Sequence, residues 1–232
     1  MNSWMGERLA HIIDEVQPHT VWQIGPVTIT STVVNTWAAM VVLGVLLWLL
    51  SRRLEFLPRG VQNVLEMAVE FIWGLAEPFM GRKGRKYAYI GGTFFIFILF
   101  LNFSWFIPGV IPPTSDLTTT AALAVTSIVL VQLIAIREHG FRRYLHHFFE
   151  PFAPMVIMNV IEQLVRPFSL ALRLFGNMFG EELVVAAFFA LIPLAIPTPI
   201  MMLGLIFGFI QAFVFTMLSI TYIAEAVEGG EH

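Results

Sequence analysis

Long blocks of apolar residues alternate with short clusters of charge along the 232-residue chain. A helix needs about 20 residues to cross a hydrocarbon core ~30 Å thick, and residues 33–50 supply nearly that before Arg52 and Arg53 stop the run. Pro58 then sits where a first helical turn accepts proline. In 58–81, Val61, Val64, Leu65, Ala68, Phe71, Ile72 and Leu75 recur on one face while Glu66, Glu70 and Glu77 interrupt, which predicts an interfacial amphipathic helix and not a span. After Arg82, Lys83, Arg85 and Lys86, the aromatic-rich stretch 87–107 predicts a second span. A turn over 108–116 leads into a third at 117–136, closed by Arg137, Arg142 and Arg143. The apolar stretch 156–192 would be about 55 Å long as one helix, more than a bilayer's thickness, so it must tilt steeply or run partly along the interface. A turn over 193–199 and a last span at 200–224 complete the pattern. The fold class predicted is an all-α integral membrane protein with five transmembrane helices and interfacial amphipathic helices, the last two long, tilted and packed as a hairpin. Residues 1–30 form an external N-terminal segment of this single membrane domain.

Composition supports that reading: 57% of residues are hydrophobic and 12% charged, and the mean hydropathy is +0.78, too few polar residues to coat a soluble globule. Glu7, Asp14 and Glu15 among scattered apolar positions argue against a cleaved signal peptide. With no cysteine, chemistry rests on carboxylates, Arg, His or amides. A net charge of −3 gives no reason to expect nucleic acid. Ten of the thirteen Lys and Arg fall after span one, before span two and after span three, on one face of a five-span arrangement. Because cytoplasmic loops carry the positive excess, the N-terminus is expected outside and the C-terminus inside.

An arginine in the middle of a spanning helix costs about 2.5–3.5 kcal/mol on insertion scales, so Arg173, between Leu172 and Leu174, requires a partner carboxylate or a water-filled path. At 100° per residue Asn177 lies ~40° round the helix from Arg173 and Glu181 ~80° round, while Glu182 falls on the far side. On the last helix Gly204, Gln211, Tyr222 and Glu225 fall within ~60° of one another, a second polar stripe able to face the first and make an ion path. The plainer readings pair Arg173 with Glu181 or Glu182 inside this chain, make Asn177 and Gln211 interhelical glue, and leave Tyr222 and Glu225 as interface anchors. Asp116 with Thr118 to Thr120 reads as a helix N-cap or as a carboxylate gathering cations at a channel mouth. Arg166, two turns before Arg173, is expected to snorkel to the interface. His139, His146 and His147 are too few for a diiron site and, among Arg137, Arg142 and Arg143, read as a loop touching lipid headgroups. No metal and no cofactor is expected. There is no Gly-rich phosphate loop and no Ser/His/Asp array, so the chain is read as non-catalytic.

The run Arg166-Pro167-Phe168-Ser169-Leu170-Ala171-Leu172-Arg173-Leu174-Phe175-Gly176-Asn177-Met178 closely resembles the signature of the a subunit family of F-type ATP synthases. The stretch ending at Asp116 resembles the family's loop before its third span, and Gln211-Ala212-Phe213 its final helix. The resemblance implies a membrane stator providing two aqueous half-channels. Its essential arginine falls on Arg173, a neighbouring asparagine on Asn177, a channel carboxylate on Glu182, a final-helix glutamine on Gln211 and an inner-channel tyrosine on Tyr222. Some members have Gly before the channel Glu and His on the last helix, where this chain has Glu181 and Gly204, so Glu181 is expected to take over that histidine's role. The resemblance also implies the partners: a ring of c subunits whose carboxylates pass Arg173, b-type peripheral stalk subunits, and the rest of the F1Fo complex, which carries the nucleotide chemistry. The ion implied is a proton, with a sodium-translocating version left open, and the location a bacterial cell membrane, with a photosynthetic membrane as the alternative. The rivals from other classes are a self-contained channel or transporter, which would show inverted repeats and helices broken at mid-membrane, and a pure scaffold, in which Arg173 would be dispensable.

Overall fold

A computed structural model describes residues 20–24, 27–52, 60–107, 110–141, 155–191 and 197–228. A short antiparallel hairpin opens the described chain, β1 (Thr20–Ile24) pairing with β2 (Val27–Thr30) and an irregularity at Val21 between the Thr20 and Trp22 pairs. Five long helices follow: α1 (Ser31–Ser51), α2 (Val61–Phe103), α3 (Leu117–His139), α4 (Met155–Leu191) and α5 (Pro197–Glu228). Between α2 and α3 the chain turns through two single 3₁₀ turns, Ser104–Phe106 and Pro113–Ser115. Among the described residues, four stretches are long and apolar enough to cross a bilayer: Ser31–Ser51, Lys86–Phe106, Leu117–His139 and Pro199–Val227. The protein is an all-α membrane protein that passes the bilayer several times, with the small hairpin as an addition that the sequence did not announce.

One prediction changes form. The interfacial helix expected over 58–81 and the span expected over 87–107 are one continuous helix, α2, with Pro78 inside it. The basic cluster that resembled a break consists of Arg and Lys, which are good helix formers, so charge marks the membrane boundary there without ending the helix. Pro78 forfeits one backbone hydrogen bond, and its i−4 neighbour is Gly74. Residue 58 itself, and all of 1–19, lie outside the described residues.

The chain divides into two compact units, one drawn from Met1–Gly44, Phe97–Thr120 and Leu172–Ala212, the other from Val45–Ile96, Ala121–Ala171 and Phe213–His232. In the first, Ile98, Leu101, Leu174, Met178 and Ala212 are buried. In the second, the core is aromatic and branched: Phe94 and Phe215 rings lie 5.5 Å apart, and Phe71 approaches Phe95 at 5.9 Å and Phe213 at 6.0 Å. Gly91 is needed there because a Cβ would come within 2.9 Å of the Ile220 side chain. Polar pairs join helices across both interiors, as expected where lipid gives no hydrophobic drive between helices. Ser127 and Ser219 hydroxyls are 2.9 Å apart and buried, and Gln132 Nε2 donates to Gln163.

Candidate functional site

In the first unit, polar groups from α1, the turn before α3, α4 and α5 collect in one region. Asp116 caps α3 as predicted: its Oδ1 accepts from the Thr118 backbone N–H at 2.9 Å and the Thr118 hydroxyl at 2.7 Å. Its Oδ2 also accepts a 2.5 Å bond from Thr32, which shares a 2.8 Å bond with Thr30 at the end of the hairpin. Thr32 is buried, so this link ties the start of α1 to the start of α3. The neighbouring Ser115 hydroxyl donates to the Pro112 carbonyl at 2.9 Å and lies beside the Glu182 carboxylate.

Glu182, placed on the far side by helical arithmetic, is buried, whereas Glu181 is half-buried. Both oxygens of Glu181, Oε2 of Glu182 and Nδ2 of Asn177 are buried with no hydrogen-bond partner among the described residues. Each such atom costs about 1–3 kcal/mol, and four of them within six residues of one helix make a polar interior that water or a mobile proton would satisfy. On α5, a Cβ added at Gly204 would fall on the Glu181 carboxylate. Glu181 therefore occupies the volume that a side chain at position 204 would fill, and the absence of a side chain on α5 is what admits the carboxylate. Gln211, two turns along α5, is buried.

Sequence reasoning missed Asn102. Its amide donates to the Gly208 carbonyl at 3.0 Å and its Oδ1 accepts from Thr114 at 2.9 Å, both buried. Gly208 permits this approach, since a Cβ there would sit 3.2 Å from Asn102 Cβ. The signal available was an amide near the end of an otherwise apolar aromatic block; its partners, 106 and 12 residues away, had none.

Arg173 departs from the rest of its predicted stripe. Its side chain is exposed, with Leu172 and Gly176 exposed beside it, and among the described residues it makes no ion pair or hydrogen bond. The pairing with Glu181 or Glu182 that the sequence allowed is not formed.

The second unit holds a separate charged cluster. Arg166, expected to snorkel to the interface, is held at three points. Its Nη2 meets Glu162 Oε1 at 2.5 Å, its Nη1 meets Glu225 Oε2 at 2.6 Å, and its guanidinium carbon lies 4.7 Å from the centre of the Tyr222 ring. Tyr222 and Glu225 are thus brought together with an arginine for which no special role was expected. Where the end of α3 meets the middle of α2, Glu138 accepts from Lys86 at 2.5 Å and from the Tyr87 hydroxyl, and His139 Nε2 lies 3.0 Å from the Ala226 carbonyl. His146 and His147 lie outside the described residues. Among those described, no three His or acidic side chains group as metal ligands.

A family model described as ATP synthase A chain matches residues 33–224. Over 214 residues the chain is 56% identical to ATP synthase subunit a of Moorella thermoacetica, covering 92% of this chain and 98% of that one. It is 44% identical over 200 residues to ATP synthase subunit a 1 of Syntrophotalea carbinolica, covering 84% and 85%. It is 38% identical over 225 residues to ATP synthase subunit a of Gloeobacter violaceus, covering 92% and 91%. With a family model spanning most of its length and relatives matched nearly end to end, this multi-pass membrane chain belongs to the ATP synthase A chain family.

Proposed function

We propose that this chain is the stator subunit that couples proton flow to rotation in the Fo sector, and that Arg173 is its working charge. The observation that carries this is the exposed guanidinium on α4, in an apolar neighbourhood and without a counter-ion among the described residues. A charge placed so at membrane depth calls for an anion supplied from outside the chain. A ring of c subunits, each carrying one carboxylate, fits that requirement. Guanidinium remains charged at every accessible pH, so it attracts a deprotonated ring carboxylate and blocks a protonated one from slipping directly between the two half-channels.

Protons reach the ring from outside through Asp116, Glu182, Glu181, Asn177 and Gln211, carboxylates and amides suited to handing protons on through water. They leave towards the cytoplasm past Tyr222 and Glu225. Each charge crossing 100 mV releases about 2.3 kcal/mol, so several must pass for each ATP made on the F1 subunits, which this non-catalytic chain does not replace. The N-terminus lies outside a bacterial cell membrane and the C-terminus in the cytoplasm, with b-type stalk subunits holding the chain against rotation.

The test is gradient-driven ATP synthesis, together with passive proton leak, in vesicles carrying the assembled complex with Arg173→Ala. Loss of synthesis with assembly intact is expected. Unchanged synthesis would make Arg173 structural and end this reading.

A further inference from the structure

Resting on the stator reading above, we propose that Arg166 is a positioning residue at the inner mouth, holding the Glu225 carboxylate and the Tyr222 ring together as one charged cluster that sets the local supply of protons there. A snorkelling arginine needs only water for its head. Here both terminal nitrogens are taken by carboxylates on different helices and the planar face covers an aromatic ring, with 25% of the side chain exposed. Three simultaneous contacts of this kind use the fork and the flat face of guanidinium, which an ammonium lacks. Glu162 precedes Arg166 by four residues on α4, the favourable order for an i,i+4 pair, so it fixes the guanidinium on its own helix. Glu225 is then the group held across on α5, and 52% of its side chain is exposed to the medium.

The charge balance gives this arrangement its function. One guanidinium and two carboxylates leave a net charge of −1, a locus that gathers cations. Among the described residues, His139 on α3 is bonded to the carbonyl of Ala226 next to Glu225, and the adjoining Glu138 is engaged by Lys86 and Tyr87. Removing Arg166 would make the cluster more negative, and removing the Glu225 charge would make it neutral. At a separation of several Å in a water-like medium, one unit charge changes the local cation concentration about threefold. A plain brace between helices would carry no such sign.

The experiment is ATP-driven proton pumping by the complete complex in vesicles, with the initial rate measured against proton concentration on the inner, F1-bearing side and each curve normalised to assembled complex. Arg166→Gln is expected to lower the KM for inner-side protons about threefold and Glu225→Gln to raise it about threefold, while Arg166→Lys, which keeps the charge but not the fork and flat face that hold Glu225 and Tyr222, falls between Arg166→Gln and the parent. If KM is the same in all three and only the maximal rate moves, the cluster is a structural brace and the proposal is overturned. Should Arg166→Gln fail to assemble, Glu225→Gln decides alone, because it leaves the Arg166–Glu162 pair in place. An intact synthesis rate in Arg173→Ala would remove the underlying stator reading, whatever these variants do.

Discussion

Gly204→Ala tests the relation between α4 and α5 in the first unit. A Cβ at position 204 would coincide with the Glu181 carboxylate, so the methyl group and the carboxylate cannot share the site. The backbone conformation is not at issue, because Gly204 lies within α5 and alanine is a better helix former. The entire effect is therefore steric and falls on one side chain. Forcing a group out of a packed interior costs about 1–3 kcal/mol, which corresponds to Glu181 holding its present place about 5- to 150-fold less often. If Glu181 belongs to the outer path, proton conduction through vesicles carrying the complex should fall by at least the lower figure.

The double variant Glu181→Gly with Gly204→His separates path from packing. It empties the space on α4 and fills it from α5 with another titratable group, the arrangement that the family resemblance implies for some members. Conduction should recover in the double variant, whereas Gly204→His alone should conduct no better than Gly204→Ala. Parental conduction in Gly204→Ala, or equal conduction in Gly204→His with and without the Glu181 change, would refute the reasoning, since either means that the carboxylate's position is irrelevant.

Two further outcomes follow from buried polar contacts. Asn102→Leu strands the Thr114 hydroxyl and removes the bond to the Gly208 carbonyl; a loss of about 1–3 kcal/mol should appear as a lowered unfolding midpoint of the purified complex, and an unchanged midpoint would show the amide to be dispensable. Ser127→Ala and Ser219→Ala each leave a buried hydroxyl unpaired, so each should destabilise by about 0.6 kcal/mol while the double variant costs less than the sum; strict additivity in a double-mutant cycle would show that the 2.9 Å contact contributes nothing.

The long helices were legible because hydrophobic length is a coarse signal: expected 117–136 lies within Leu117–His139, and 156–192 differs by one residue at each end from Met155–Leu191. The division of α2 failed because the basic cluster Arg82 to Lys86 was read as a boundary between two helices, whereas Lys and Arg continue a helix readily. At the site, Asp116 was recognisable as a cap from local spacing alone. Its bond to Thr32, 84 residues away, was not, since periodicity says which face a residue occupies but not what meets it. The same limit explains Glu182, whose burial beside Ser115 depends on the turn before α3. The Glu181–Gly204 relation was the exception, because the family resemblance had already linked the two positions.

The two arginines of α4 make the strongest physical contrast in the chain. Both sit in the same motif, seven residues apart, and both must be satisfied electrostatically, because burying or half-burying a guanidinium without partners is costly. Arg166 is satisfied within the chain, by two carboxylates and an aromatic face. Arg173 is exposed among apolar neighbours, although Glu181 and Glu182 lie eight and nine residues further along the same helix. Those carboxylates are turned inward, one against Gly204 and one beside Ser115. A sequence that needed only a stable helix would have paired Arg173 as it paired Arg166 or replaced it with leucine. Keeping it exposed and without an ion pair among the described residues, while acids are available on the same helix, makes sense where the counter-charge arrives on another molecule and must be free to leave again.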